Sequence, residues 1–218
     1  MLDFDKFWLK FDKKVRICID LIIFGVIGYL IFVLGLDNRF EIWLFYIAML
    51  GLILETEVNN VVINEGSYYF WTLDLLAILA NVLWLSSLVE YFFNRIFVNN
   101  MITIVGFSLV IIGILLHYFS AKALGKHYSA GIEVKKGHKV VAEGVYKRMR
   151  HPGYVGSILA GIGLPLILNG FWALIISAGI ILILIIRIRL EEKVLSDQVK
   201  GYKEYKRNVG ILWTKNRR

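Results

Sequence analysis

Two short segments of this 218-residue chain hold residue types that could do chemistry together. The first is Leu124–Gly156, LGKHYSAGIEVKKGHKVVAEGVYKRMRHPGYVG, which contains three of the four histidines and closes on Arg150-His151-Pro152. Proline biases the residue before it toward extended backbone and suits the first turn of a helix, so His151 is expected near a helix cap. Free backbone N–H groups and the positive dipole end at such a cap favour an anionic group. The second segment is Arg187-Ile-Arg189-Leu-Glu191-Glu192, in which Arg187 and Glu191 stand one turn apart on one helix face. Taken alone, this reads as snorkelling arginines with a surface ion pair. A guanidinium and a carboxylate at membrane depth are nonetheless expensive unless they have a task. Asp74 and Glu90 raise the same question: Glu90 is expected at the interface, and the sequence names no partner for Asp74.

Other chemistries fit less well. His117, His127, His138 and His151 form no HxxxH or HExxH pair, so no metal site is expected. Cys18 stands alone within an apolar run, which excludes disulfides and cysteine-based zinc or iron–sulfur sites within one chain. There is no Walker loop and no nucleophile elbow. Gly161-Ile-Gly163 lies in an apolar run with no strand before it, which excludes a soluble dinucleotide-binding fold. Gly153, Gly156, Ala160 and Gly163 give the segment after His151 one thin face. That face suits either close packing of the small-xxx-small kind or a cofactor lying against the backbone.

The elements that must position these residues are membrane spans. The chain is 58% hydrophobic and only 19% charged, with a mean hydropathy of +0.65. Runs such as 21–36 and 171–186 carry no charge, and a soluble protein of this size could not bury so much apolar surface. Six spans are expected, near 15–36, 41–58, 70–93, 100–121, 153–168 and 170–189. The second is the least regular, because its apolar part, Ile42–Leu54, runs on into Glu55, Glu57, Asn59 and Asn60. It is either a helix with a polar end or a short span leading into an interfacial segment. Residues 1–14 form an amphipathic stretch suited to the headgroup region, and no signal-peptide cleavage site follows it. With six spans, 23 of the 25 Lys and Arg residues fall on one side. The positive-inside rule then places both termini and the 122–152 loop in the cytoplasm. The net charge of +8 is thereby topological, and no nucleic-acid partner is expected. The chain divides into residues 1–121, an interfacial helix and four spans, and 122–218, a loop, a helical hairpin and a basic tail. Trp43, Trp71, Trp84 and Trp172 are expected at the membrane interface or in packing.

The ordered set of motifs resembles a family. Leu124-Gly125, His138-Lys139-Val140-Val141, Gly144-Val-Tyr146, Arg150-His151-Pro152-Gly153-Tyr154-Val-Gly156, a helical hairpin, Glu191-Glu192 and Tyr202-Lys-Glu-Tyr205 follow one another as in the isoprenylcysteine carboxyl methyltransferases. The related phospholipid methyltransferases share the scheme. The resemblance covers residues 124–207, and the N-terminal spans carry none of it. It implies an all-α, multi-pass transmembrane enzyme that uses S-adenosyl-L-methionine, with the cofactor held by a cytoplasmic loop and the last two spans. His138, Lys139, Val140 and Val141 would line the cofactor pocket, largely through their backbone. Tyr146 would pack or hydrogen-bond there, and His151, Pro152, Gly153 and Tyr154 would hold the methionine or ribose end. Glu191 would bind the cofactor and Arg187 the acceptor carboxylate, making Arg187 the catalytic and substrate-binding residue. Two departures are visible: Val140 stands where the family has leucine, and the glutamine of some relatives has no counterpart among Gly131, Ile132 and Glu133.

The residue types suit such a reaction. A carboxylate and aromatic faces can stabilise a sulfonium cation, and an arginine fork can hold a carboxylate. Methyl transfer is an in-line displacement, so positioning and desolvation should supply most of the acceleration. A carboxylate acceptor needs no general base, which favours carboxyl methylation of a lipophilic acceptor such as an isoprenylated cysteine, with membrane lipids around it. The alternatives are a phospholipid or small-thiol methyltransferase on the same scaffold, or a non-catalytic membrane protein that keeps the hairpin for packing.

Overall fold

The computed structural model describes Gly25, Tyr29 and residues 39–58, 68–69, 71–94 and 98–211. The interfacial stretch 1–14, Cys18, and the span expected over 15–36 apart from Gly25 and Tyr29 lie outside the described residues. The described residues form an all-helical bundle of α1 (Phe40–Val58), α2 (Trp71–Asn94), α3 (Asn100–Leu124), α4 (Pro152–Ile167), α5 (Ala173–Gln198) and the short α6 (Tyr202–Asn208). Three of them, α2, α3 and α5, are long and apolar enough to cross a membrane. Their outward faces carry exposed Ile78, Val105, Ile112, Ile175 and Leu182, as an integral membrane protein requires. Helix α1 continues through the polar residues to Val58, so the irregular second span is a helix with a polar end. Helix α4 has 16 residues, about 24 Å at the helical rise, shorter than a typical hydrocarbon core.

The most extensive helix contact is between α3 and α4. It decides between the two uses of the thin face. A Cβ on Gly156 would lie 2.5 Å from the Gly113 carbonyl oxygen, and one on Gly163 would lie 2.5 Å from that of Gly106. Gly156, Ala160 and Gly163 therefore serve close packing against Gly106 and Gly113, two glycines seven residues apart on α3. Only Gly153 is left to the cavity described below, next to His117 and Ser120.

The hairpin between α4 and α5 is held by polar side chains from other helices. Pro165 lacks the N–H that would bond to Gly161, and the Ser177 hydroxyl of α5 donates to that carbonyl at 2.6 Å. Thr103 of α3 donates to the terminal Ile167 carbonyl at 2.9 Å and accepts from Asn169. Asn169 turns the chain in the left-handed region (φ 56°) and accepts the Asn99 N–H. Glu90 is buried within the protein. Its carboxylate accepts the N–H groups of Phe171, Trp172 and Ala173 at 2.8–3.1 Å, capping α5 from α2.

Candidate functional site

Between α3 and α4 the chain runs irregularly from Gly125 to His151, broken by two short 3₁₀ turns, Gly125–His127 and Gly144–Lys147. Gly125 ends α3 with a positive φ of 51° that favours glycine, its N–H bonding to Ala121. At the other end His151 caps α4 and Pro152 is its first residue, as the Arg-His-Pro spacing predicts, although the His151 backbone (φ -127°, ψ 56°) falls outside the extended region expected before a proline. The segment is pinned by Tyr205, whose hydroxyl donates to the Tyr146 carbonyl at 2.7 Å. The Tyr146 hydroxyl in turn meets Ser120 of α3 at 2.6 Å. Burial pushes the Tyr205 hydroxyl up to about 12 and the Tyr146 hydroxyl higher still, so both keep their protons at neutral pH.

This segment and helices α2 to α6 enclose a cavity of about 320 Å³. Its wall brings together His138, Lys139, Val140, Val141, Tyr146, His151, Gly153, Tyr154, Arg187 and Glu191. Of the residues singled out in the sequence, Pro152 alone is missing from the wall; it is fully buried under the cap. Leu73 and Leu76 of α2 and Leu184 of α5 supply an apolar side.

Arg187 is 3% exposed, so it does not snorkel. It donates to the Thr72 hydroxyl of α2, and to the Ala130 carbonyl at 2.7 Å. Among the described residues it forms no ion pair with Glu191, contrary to the surface-pair reading of their spacing. Glu191 instead accepts from the Tyr154 hydroxyl at 2.7 Å, one turn along the same cavity wall. His151 stacks edge-on against Tyr154 at 5.5 Å.

The neighbouring Glu192 points the other way and is spent within the protein. It pairs with Arg150 at 2.6 Å, with Lys206 at 2.7 Å, and with His151 Nε2 at 3.3 Å. Arg150 also donates to the carbonyls of Lys206 and Val209, tying the start of α4 to α6. Burying a carboxylate is tolerable here because a guanidinium and an ammonium meet it.

Sequence reasoning missed several parts of the wall. Ser120, His117 and His127 look ordinary in their helix and loop, and Thr72, which lies behind the wall and holds Arg187, sits in a span without motifs. The rings of His127 and His138 lie 4.8 Å apart, and the Nδ1 atom of each is buried with no hydrogen-bond partner among the described residues. Burial and the neighbouring His127 hold His138 below the usual histidine range. Two unsatisfied ring nitrogens beside a cavity carry a desolvation cost that a polar ligand would relieve.

Parts of the chain are similar to known proteins. The Isoprenylcysteine carboxyl methyltransferase (ICMT) family matches over residues 102–197. The protein-S-isoprenylcysteine O-methyltransferase of Saccharomyces cerevisiae is 32% identical over 123 residues, which are 55% of this chain and 52% of that protein. A probable protein-S-isoprenylcysteine O-methyltransferase of Oryza sativa subsp. indica is 28% identical over 112 residues, 50% of this chain and 54% of its own length. The chain thus spans about half the length of these relatives. Among solved structures, that of the eukaryotic intramembrane Ras methyltransferase ICMT superposes with a TM-score of 0.56 at 24% identity, covering 77% of this chain and 61% of that one. The matched segment, residues 102–197, and the likeness of fold agree with the order of motifs read from the sequence.

Proposed function

We propose that this protein is an integral-membrane methyltransferase that esterifies the carboxylate of a lipophilic acceptor of the isoprenylated-cysteine class, with S-adenosyl-L-methionine as donor. One observation carries the reading: the His151 turn, segment 138–141, Glu191 and Arg187 all face one cavity. The dimensions fit a small-molecule cofactor, since about 320 Å³ lies within the usual range of such sites, roughly 300–1,000 Å³. So does the chemistry of the wall. Glu191 and the rings of Tyr154 and Tyr146 suit a cation, the N–H groups at the start of α4 suit a carboxylate, and the orphaned Nδ1 atoms suit the polar edge of a base.

When bound, S-adenosylmethionine supplies an electrophilic methyl group on a positively charged sulfur. Glu191, oriented by the Tyr154 hydroxyl, balances that charge. Arg187 holds the acceptor carboxylate and keeps it ionised, so no side chain has to remove a proton. Leu73, Leu76 and Leu184 line the side from which an apolar tail would reach Arg187 and help to exclude water. The basic loop 122–152 and both termini lie on the cytoplasmic side in this reading.

The test is incubation of the purified protein with isotopically methyl-labelled cofactor and a panel of prenylcysteine analogues, lipid extracts and thiols, read by mass spectrometry. Label in a base-labile ester is the expected result. Label in an amine or thioether, or none at all, overturns the assignment. Arg187→Ala should retain binding of the demethylated cofactor product in calorimetry while losing turnover. Equal loss of cofactor binding in Arg187→Ala and Glu191→Ala would overturn this assignment of roles.

A further inference from the structure

We infer that Thr72 of α2 is the positioning residue that aims Arg187 at the acceptor carboxylate, an inference that rests on the proposed function. Thr72 lies outside the matched segment 102–197 and is fully buried. Its hydroxyl has one proton and its oxygen has lone pairs to accept with. The proton goes to the Tyr69 carbonyl at 2.7 Å, which leaves the oxygen to accept from Arg187 Nη1. Tyr69 itself sits at φ 61°, and its neighbour Tyr68 donates its N–H to the Ile132 carbonyl at 2.8 Å. The carbonyl that orients Thr72 is therefore anchored to the loop that encloses the cavity.

The second guanidinium nitrogen, Nη2, donates to Ala130 in that same loop. Arg187 is thus fixed at both ends of its fork, once by α2 and once by the loop. Thr72 and Ala130 take one N–H each of the five that a guanidinium carries, and the remainder are available to a ligand or to the Tyr154 hydroxyl beside it. A long side chain held in this way loses no further rotamer freedom when it grips a carboxylate. Thr72 touches no reacting atom. It acts through Arg187 by removing the alternative orientations of the fork.

The experiment compares wild type, Thr72→Val and Thr72→Ser with a prenylcysteine acceptor, measuring kcat, acceptor KM and binding of the demethylated cofactor product. Valine keeps the volume and removes the acceptor oxygen, while serine keeps the oxygen. In Thr72→Val the acceptor KM should rise about tenfold, the scale of a lost hydrogen bond to a charged group, while kcat and cofactor-product affinity stay within about twofold. Thr72→Ser should recover most of the lost KM. If Thr72→Val does not yield folded protein, judged by cofactor-product binding, Thr72→Ala is read in the same assay. An unchanged KM in a turnover-competent Thr72→Val or Thr72→Ala overturns the role of Thr72 and leaves the proposed function standing. So does a fall in kcat and cofactor binding together that serine fails to rescue. Wild-type protein that forms no ester from any acceptor removes the proposed function and this inference with it.

Discussion

Glu90 and Glu191 lie at opposite ends of α5, and the protein uses them in opposite ways. Glu90 reaches across from α2 and accepts three backbone N–H groups at the start of α5. Glu191, near the other end, accepts one tyrosine hydroxyl and faces a cavity. Around Glu90 the polar groups are paired off inside the protein: Asn169 with Thr103 and Asn99, Tyr91 with Glu41. Around Glu191 two histidine nitrogens have no partner among the described residues. Hydrogen bonds completed within the chain contribute to folding, whereas those left open are available to a ligand. In the proposed function the turn end therefore carries stability and the cavity end binding.

The largest effect should come from the residue that breaks this rule by position, Glu192, which is at the cavity end but fully paired. Glu192→Ala strands Arg150 inside the protein and should cost about 3–5 kcal/mol, seen as loss of folded material or a steep fall in thermal midpoint. Its neighbour gives the sharpest contrast. Glu191→Ala should abolish detectable binding of the demethylated cofactor product, a loss on the order of 2–5 kcal/mol for a desolvated charge contact, with the thermal midpoint close to wild type. At the turn end, Glu90→Ala should cost about 1–3 kcal/mol of stability by orphaning helix N–H groups and leave cofactor-product affinity unchanged. If Glu90→Ala weakened binding as much as Glu191→Ala, the division of labour between the two ends would be wrong.

The smallest effect is a pH dependence. Because the folded protein holds His138 below its ordinary value of about 6.5, folding favours the neutral ring. Its contribution is complete above that value and is lost as the pH falls through the lowered folded pKa. Thermal midpoints followed from about pH 7.5 down to about pH 5 should therefore drop less steeply in His138→Gln than in wild type. An identical slope would show that His138 titrates outside the fold's influence.

Much of the scaffold was legible in the sequence, because uninterrupted apolar runs have few alternatives to spanning helices. The expected spans at 70–93, 100–121 and 153–168 fall within a few residues of α2, α3 and α4. Helix α5 runs on to Gln198, beyond the expected end at residue 189, because its last turns pack on α6 and the loop rather than in apolar surroundings. The His151 cap was legible because proline chemistry is local. What could not be read was long-range pairing. Nothing near Glu90 says that it caps a helix 81 or more residues on, and nothing near Arg187 points to Thr72, 115 residues earlier. The Arg187–Glu191 spacing suggested a pair with each other, but each found a closer partner on another element. Gly106 and Gly113 did carry a signal, a seven-residue spacing that matches the small residues of α4, and it becomes visible only once the two helices are known to face each other.

The bond from Ser177 to the carbonyl freed by Pro165 has a mechanical consequence. It joins the second turn of α5 to the one place on α4 where proline interrupts the backbone ladder. Sliding one helix along the other would leave that oxygen bare in a non-aqueous interior, so the pair resists piston motion as a riveted joint does. Admission and release of whatever fills the chamber must then fall to the Gly125–His151 segment and the small terminal helix, which are tied to the bundle by single hydrogen bonds at Ala130, Ile132, Tyr146 and Tyr205 and by one ionic knot around Glu192.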